Sequence, residues 1–191
     1  MVRRLHALLS PDERERAARC GFDHMRHTFI IARGTLRYLL GRYLDVDPAA
    51  LRFGYGPQGK PAIDGAGIEF NMTRSSGLIA SAFARGCHVG VDIERIRPGA
   101  RTVEMARRFF SLEEAAKINA LPPHERQSLF FHLWTRKEAY IKATGEGLPG
   151  IAKTAGGAWI VHDLSVPPGY VGALAYSGKK RVVSFQDHML D

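Results

Sequence analysis

The chain has few cysteines and no long hydrophobic run, and both shortages restrict what it can be. The 191 residues include two cysteines, Cys20 and Cys87, which are far apart and have no paired spacing. We therefore expect two reduced thiols in a cytoplasmic protein. No run of about 18 apolar residues occurs, so no membrane span is predicted. The N-terminal stretch also lacks an apolar segment long enough for a signal peptide.

Acidic residues are outnumbered by basic ones, 19 against 27, which gives a net charge of +8. Such a balance favours an anionic partner. The basic residues are spread along the chain and are not interleaved with aromatic residues in an RNA-recognition pattern, which disfavours nucleic acid. A phosphorylated cofactor or an acidic protein remains, with a basic nucleic-acid-binding module as the alternative of a different class.

The order of predicted elements indicates an α+β fold in two halves, residues 1–86 and 87–191, each with a small antiparallel sheet. The predicted helices are 10–19, 23–44, a short turn after Asp47, 101–110, 112–121 and 124–143. The predicted strands are 51–55, 68–73, 78–84, 89–96, 159–163, 170–176 and 181–186. In helix 23–44 we expect an apolar stripe that includes Ile30, Leu36 and Tyr43, with arginines 26, 33, 37 and 42 on the other faces.

Four charged residues in the second half are candidates for chemistry. Asp92 and Glu94 point to the same side of strand 89–96, opposite Val89, Val91 and Ile93, because side chains alternate along a strand. Glu138 and Lys142 share one face of helix 124–143. Each pair also has an ordinary interpretation, since the acids can form a solvated face and Glu138–Lys142 a surface ion pair.

If strand 89–96 and helix 124–143 meet, their three carboxylates come close together. Three neighbouring carboxylates require a counter-ion. All-oxygen ligation favours Mg²⁺, with Mn²⁺ as a substitute, over zinc. Magnesium commonly borrows oxygens from a substrate phosphate. The spacing therefore indicates phosphoryl-type chemistry with Asp92, Glu94 and Glu138 as metal ligands.

The sequence also resembles a known family. Gly90–Glu94 (GVDIE) and Trp134–Lys142 (WTRKEAYIK) resemble the paired signature of the 4′-phosphopantetheinyl transferases. Gly59–Pro61 (GKP), Phe70–Thr73 (FNMT) and Phe109–Ser111 (FFS) resemble three further blocks of that family. The length resembles the Sfp-type members, which are single chains with two pseudo-symmetric halves, and not the shorter trimeric holo-ACP synthases. A monomer is therefore expected.

The resemblance implies a reaction. Family members transfer the phosphopantetheine arm of coenzyme A to a serine of an apo carrier protein and release 3′,5′-ADP. Mg²⁺ held by Asp92, Glu94 and Glu138 would bind the pyrophosphate, and Lys142 would neutralise a phosphate oxygen. Glu138 is a candidate to deprotonate the serine, directly or through a metal-bound water. Glu138 and Lys142 are thus the predicted catalytic residues.

The resemblance also implies a coenzyme A site. Lys60 would reach the adenosine end, where the 3′-phosphate lies, and Arg16 would serve the same phosphate. Thr73 would bind a phosphate through its hydroxyl. Arg74 stands where the family has a histidine, and it can still grip phosphate. Thr28 stands where the family often has an arginine, and Arg26 is its expected substitute.

The partner that the resemblance implies is an acidic helical carrier protein of fatty acid or secondary metabolite biosynthesis. A basic enzyme would attract such a protein. The helical stretch 101–121 is a candidate docking surface, although a plain amphipathic helix is an equal interpretation. The differences at Arg74 and Thr28 leave a second function open, a relative that binds coenzyme A or a carrier with weak turnover.

Overall fold

The computed structural model describes residues 1–147 and 158–187 as a mixture of helices and short strands. The helices are α1 Val2–Ala7, α2 Pro11–Ala18, α3 Asp23–Leu44, α4 Thr102–Phe109, α5 Leu112–Ala120 and α6 Pro123–Thr144, with a 3-10 helix at Pro48–Ala50. The strands are β1 Gly54–Tyr55, β2 Pro61–Ala62, β3 Glu69–Ser75, β4 Leu78–Ala84, β5 Val89–Arg95, β6 Trp159–Asp163 and β7 Tyr170–Ser177. None of the helices in these ranges combines the length and hydropathy of a membrane span.

The helix predictions are confirmed, because local capping signals determine where these helices begin and end. The α2 capping box is present, with the Ser10 N–H donating to the Glu13 carboxylate at 3.1 Å. At α5 the Ser111 hydroxyl accepts from the Glu114 N–H and the Glu114 carboxylate accepts in return. Gly145 closes α6 with a left-handed φ of 75°. The six-residue α1 is too short to show a periodic pattern, and the sequence does not predict it.

Two strand predictions are wrong: one strand is shorter than predicted and the other does not form. Predicted strand 51–55 is reduced to Gly54–Tyr55, and the predicted strand 181–186 does not form. Val182 is 99% exposed and Phe185 is 61% exposed, so this segment buries no apolar face that would reward strand pairing. Strand β3 extends two residues beyond the end of predicted strand 68–73, so it includes Arg74 and ends at Ser75.

The predicted α+β fold with small antiparallel sheets is confirmed, and the described residues form three sheets. β1 pairs with β2, β3 pairs with β4 in antiparallel orientation, and β5, β7 and β6 form a three-stranded antiparallel sheet with β7 in the centre. The described residues group into two compact units, one built from residues 1–54, 63–66 and 181–187 and the other from 55–62, 67–147 and 158–180. The division into halves near Gly86 stays a prediction.

The first unit contains a buried cluster of ion pairs, which the sequence does not predict. Leu5, Leu9 and Ile30 form part of its apolar core, but Arg33 and Arg37 are also buried, at 8% and 1% exposure. Both arginines bind the buried Glu13 carboxylate, with Nε to oxygen distances of 3.1 Å and 2.6 Å. Pairing with a carboxylate makes burial of these charges tolerable, which the apolar stripe alone does not reveal.

The second unit is built around α6, which lies on the sheet of β5 and β7. Small side chains form this contact, among them Ala139 and Ala143 from α6 and Ala173 and Ala175 from β7. Small residues allow the helix backbone to come close to the strands. The close approach also brings β5, which carries Asp92 and Glu94, near α6, which carries Glu138.

Candidate active site

Gly90 lets α6 lie directly against β5. A methyl group on Gly90 would overlap the Ala139 carbonyl oxygen and the Ala143 amide nitrogen of the helix. The same face of β5 carries Asp92 and Glu94, because side chains alternate along a strand. Strand β5 therefore directs both acids towards the helix that carries Glu138.

Asp92 is almost fully enclosed, with 4% exposure. Its Oδ1 accepts hydrogen bonds from the Lys142 ammonium at 2.6 Å and from the Thr73 hydroxyl at 2.9 Å. Its Oδ2 is buried and has no hydrogen-bond partner among the described residues. A buried carboxylate oxygen without a partner is costly unless a cation or a ligand satisfies it. Asp92 is therefore not part of a solvated face, and its role as a metal ligand stays a prediction.

Lys142 contacts β5 and β3 and does not form the surface ion pair that its spacing from Glu138 allowed. Besides Asp92, the ammonium donates to the Thr73 hydroxyl at 3.2 Å and lies 3.5 Å from the Val91 carbonyl oxygen. Three acceptors fit the three protons of an ammonium group. The lysine is thus held in place beside the Asp92 carboxylate.

Glu94 and Glu138 complete the acidic group. Glu94 accepts a hydrogen bond from the Ser75 hydroxyl at 2.8 Å. Burial raises the pKa of Glu138, and the negative charges of Asp92 and Glu94 add to the rise, while Lys142 opposes it. The effect on Glu138 indicates that its carboxylate lies within electrostatic reach of the two acids of β5.

The three carboxylates have the chemistry of a Mg²⁺ site but are not arranged as a closed one. Within residues 1–147 and 158–187, no group of three or more histidine, cysteine, aspartate or glutamate side chains is close enough to hold a metal as it stands. Lys142 neutralises Asp92, and Ser75 holds Glu94. The partnerless Oδ2 of Asp92 and the all-oxygen donor set nevertheless fit a hard cation.

Comparison with known proteins supports one family. The family model of the 4′-phosphopantetheinyl transferase superfamily matches residues 88–166, which include both acidic segments. The chain is 36% identical over 192 residues to the 4′-phosphopantetheinyl transferase HetI of Nostoc sp., covering 91% of this chain and 81% of that protein. The chain belongs to the 4′-phosphopantetheinyl transferase superfamily.

Two further transferases of this superfamily are similar to the chain over shorter lengths. Sfp of Bacillus subtilis is 32% identical over 146 residues, which cover 76% of this chain and 64% of Sfp. AcpT of Salmonella typhimurium is 41% identical over 110 residues, covering 57% of this chain and 56% of AcpT. The family resemblance found in the sequence is thereby confirmed, whereas the roles of individual residues stay predictions.

Lys60, the lysine of the transferase-like GKP block, has structural partners. Its ammonium donates to the Val89 carbonyl oxygen at 3.1 Å and to the Ala143 carbonyl oxygen at 3.3 Å, and it lies 3.6 Å from the Glu69 carboxylate. Burial lowers the pKa of Lys60, while Glu69 acts in the opposite direction. Lys60 therefore joins the start of β5 to the end of α6, and its contact with a nucleotide stays a prediction.

Of the three arginines that are predicted to bind coenzyme A, one lies on β3 and two belong to the first unit. Arg74 is exposed on β3 and, by strand alternation, lies on the face opposite Thr73. Arg16 stacks over the Phe29 ring at 5.3 Å, and Arg26 pairs with Asp23 at 3.2 Å, all within the first unit. Binding of coenzyme A by Arg16, Arg26 and Arg74 stays a prediction.

The structure adds two residues to which the sequence prediction gives no role. The Asn71 side-chain oxygen accepts from the Val91 N–H at 2.9 Å, and the Ser75 hydroxyl contacts Glu94. With Thr73 between them, these residues occupy alternate positions on one face of β3. That spacing of polar residues in a half-buried strand is a signal in the sequence, but it does not tell which strand they face.

Proposed function

We propose that this chain transfers the 4′-phosphopantetheine arm of coenzyme A to a serine hydroxyl of an apo carrier protein and releases 3′,5′-ADP. The observation that carries the proposal is the buried Asp92 carboxylate, with one oxygen held by Lys142 and Thr73 and the other without a partner. The similarity of the chain to three 4′-phosphopantetheinyl transferases supports the same reaction.

Asp92, Glu94 and Glu138 are the proposed Mg²⁺ ligands, and Mn²⁺ suits the same oxygen donors. When bound, the metal would supply a Lewis acid that offsets the charge developing on the pyrophosphate of coenzyme A. The support for this ligand set is the acid-only chemistry of the group, the partnerless Oδ2 of Asp92 and the electrostatic effect of Asp92 and Glu94 on Glu138.

In the proposed reaction the serine oxygen attacks the phosphorus nearest the pantetheine. The new P–O bond replaces the bond to 3′,5′-ADP, which leaves with the electron pair. Glu138 would accept the serine proton, directly or through a water. Lys142, which is held beside Asp92, would exchange that carboxylate for a phosphate oxygen as coenzyme A binds.

Coenzyme A is the proposed co-substrate, and five further residues are proposed to bind its phosphates. They are Arg16, Arg26, Lys60, Thr73 and Arg74. Thr73 has one hydroxyl proton, which it donates to Asp92. Its contact with a phosphate would therefore require that this hydrogen bond be given up.

The carrier protein is proposed to bind the groove beside α4 and the start of α6. This groove of about 600 Å³ is lined by Arg101, Arg107, Arg108 and Arg126, against one acidic residue, Glu104. Its positive charge complements an acidic partner. Replacing Arg107 and Arg108 by glutamate should raise the KM for the carrier severalfold and leave the KM for coenzyme A unchanged. An unchanged carrier KM would remove this surface from the proposal.

The transfer itself is tested by mass spectrometry. Incubation of the protein with Mg²⁺, coenzyme A and an apo carrier should add the mass of one phosphopantetheine arm to the carrier. Asp92→Asn should abolish the gain, whereas Asp64→Asn, an exposed aspartate in the first unit, serves as the control and should retain it. Binding of metal and coenzyme A without a gain in mass would instead identify a binding-only relative with weak turnover.

A further inference from the structure

Within the part of the chain that the structure describes, the edge of β5 that faces β3 is covered by side chains and not by another strand. β5 is an outer strand of its sheet, since it pairs with β7 on one side. On the other side, the Val91 N–H donates to Asn71 and the Arg95 N–H donates to the Ser75 hydroxyl at 3.1 Å. The side chains of β3 thus take the place of a neighbouring strand, and Ser75 is the one nearest Glu94.

The two contacts of Ser75 determine where its proton lies. A backbone N–H can only donate, so the Ser75 oxygen is the acceptor in its contact with Arg95. The hydroxyl proton is then available for the Glu94 Oε2 atom, 2.8 Å away. Because the backbone of β5 holds the oxygen, the direction of the bond to Glu94 is fixed as well.

Glu94 has a competing partner. The Arg97 guanidinium lies 3.8 Å from the same Oε2 atom, and its side chain is 64% exposed. Such an exposed pair contributes little, because water screens it and two flexible side chains must be ordered. Without Ser75, the Glu94 side chain would be free to turn away from Asp92 and towards Arg97 and solvent.

We propose that Ser75 is a positioning residue that holds the Glu94 carboxylate on the Asp92 side of β5, ready to bind a divalent metal. The inference rests on the proposed function, since it takes Glu94 to be a metal ligand. Hydrogen bonds to ligating side chains orient them, and loss of such a bond typically weakens metal binding by about 10- to 100-fold.

The test is a Mn²⁺ titration of the metal-stripped full-length protein with saturating coenzyme A and no carrier. Free Mn²⁺ is followed by electron paramagnetic resonance. Ser75→Ala should weaken Mn²⁺ binding by about tenfold. Ser75→Thr keeps the hydroxyl and should remain within about twofold of the natural protein. Ser81→Ala makes the same change on β4, and no hydrogen bond to a carboxylate is lost there, so it is the matched control.

Each outcome bears on a different claim. Unchanged Mn²⁺ binding by Ser75→Ala would overturn the role of Ser75 and leave the metal site standing. No Mn²⁺ binding by the natural protein would overturn the metal site and the role of Ser75 with it. Equal weakening by Ser81→Ala would show a general disturbance of the hairpin and also overturn the role of Ser75. If Ser75→Ala fails to fold, Ser75→Cys retains a weak donor and should bind Mn²⁺ severalfold more weakly; tight binding by Ser75→Cys would contradict the inference.

Discussion

Replacing Gly90 by alanine tests the contact that brings the two acidic segments together. The new methyl carbon would lie 2.9 Å from the Ala143 Cα, whereas ordinary contacts begin at 3.4 Å. It would lie closer still to the Ala139 oxygen and the Ala143 nitrogen. These are backbone atoms of α6, which cannot turn aside as a side chain can, so the helix itself must move by at least about 0.5 Å.

Overpacking of this kind costs about 1–3 kcal/mol. For a chain of this length, each kcal/mol shifts Tm by roughly 2–4 °C, so we expect Gly90→Ala to lower Tm by roughly 2–12 °C. Because α6 carries Glu138 and Lys142, its displacement should also lower kcat/KM by roughly 10- to 100-fold.

Thermal unfolding followed by circular dichroism measures the first effect, and the rate of mass gain by the carrier measures the second. Gly21→Ala is the matched control, since a methyl group there meets no atom within 4 Å. Its Tm should be unchanged or slightly higher. If Gly90→Ala kept both its Tm and most of its activity, α6 would not lie against β5 as the structure has it.

Two further predictions concern the charges near the site. Glu138→Gln should raise the Tm of the metal-free protein by roughly 2–4 °C, because it removes a buried negative charge beside Asp92 and Glu94. The same variant should lose transfer activity and the stabilisation that Mg²⁺ confers; a stabilisation by Mg²⁺ equal to that of the natural protein would contradict the ligand assignment. Arg74→His should retain or improve transfer activity, since the family has a histidine at this position and a histidine can also bind a phosphate. A collapse of kcat/KM in that variant would mean that this arginine has a role that a histidine cannot fill.

The sequence predicts those parts of the fold that local signals determine. Capping residues such as Ser111 and Gly145 fix helix ends through contacts with their immediate neighbours. Strand β5 is predicted for a similar reason, because the alternation of Val89, Val91 and Ile93 with Asp92 is a local pattern. These signals need no knowledge of the rest of the chain.

The partners of polar residues could not be predicted, because they depend on distant parts of the chain. Arg37 is expected on a face of α3 other than the apolar stripe, yet it is buried because Glu13, 24 residues earlier, pairs with it. The four-residue spacing of Glu138 and Lys142 allows an ion pair between them, but Lys142 donates to Asp92, 50 residues away. Spacing identifies neighbours along one element and does not identify which other element faces them.

The cover of the β5 edge by Asn71 and Ser75 has a consequence for solubility. An unpaired strand edge is a template on which another chain can add a strand, and proteins aggregate by this route. The side chains of β3 occupy the Val91 and Arg95 N–H groups that such a chain would need. Ser75→Ala, which releases Glu94, would therefore also uncover the Arg95 N–H. Among variants of β3, those at Asn71 and Ser75 should be the most prone to aggregate during expression.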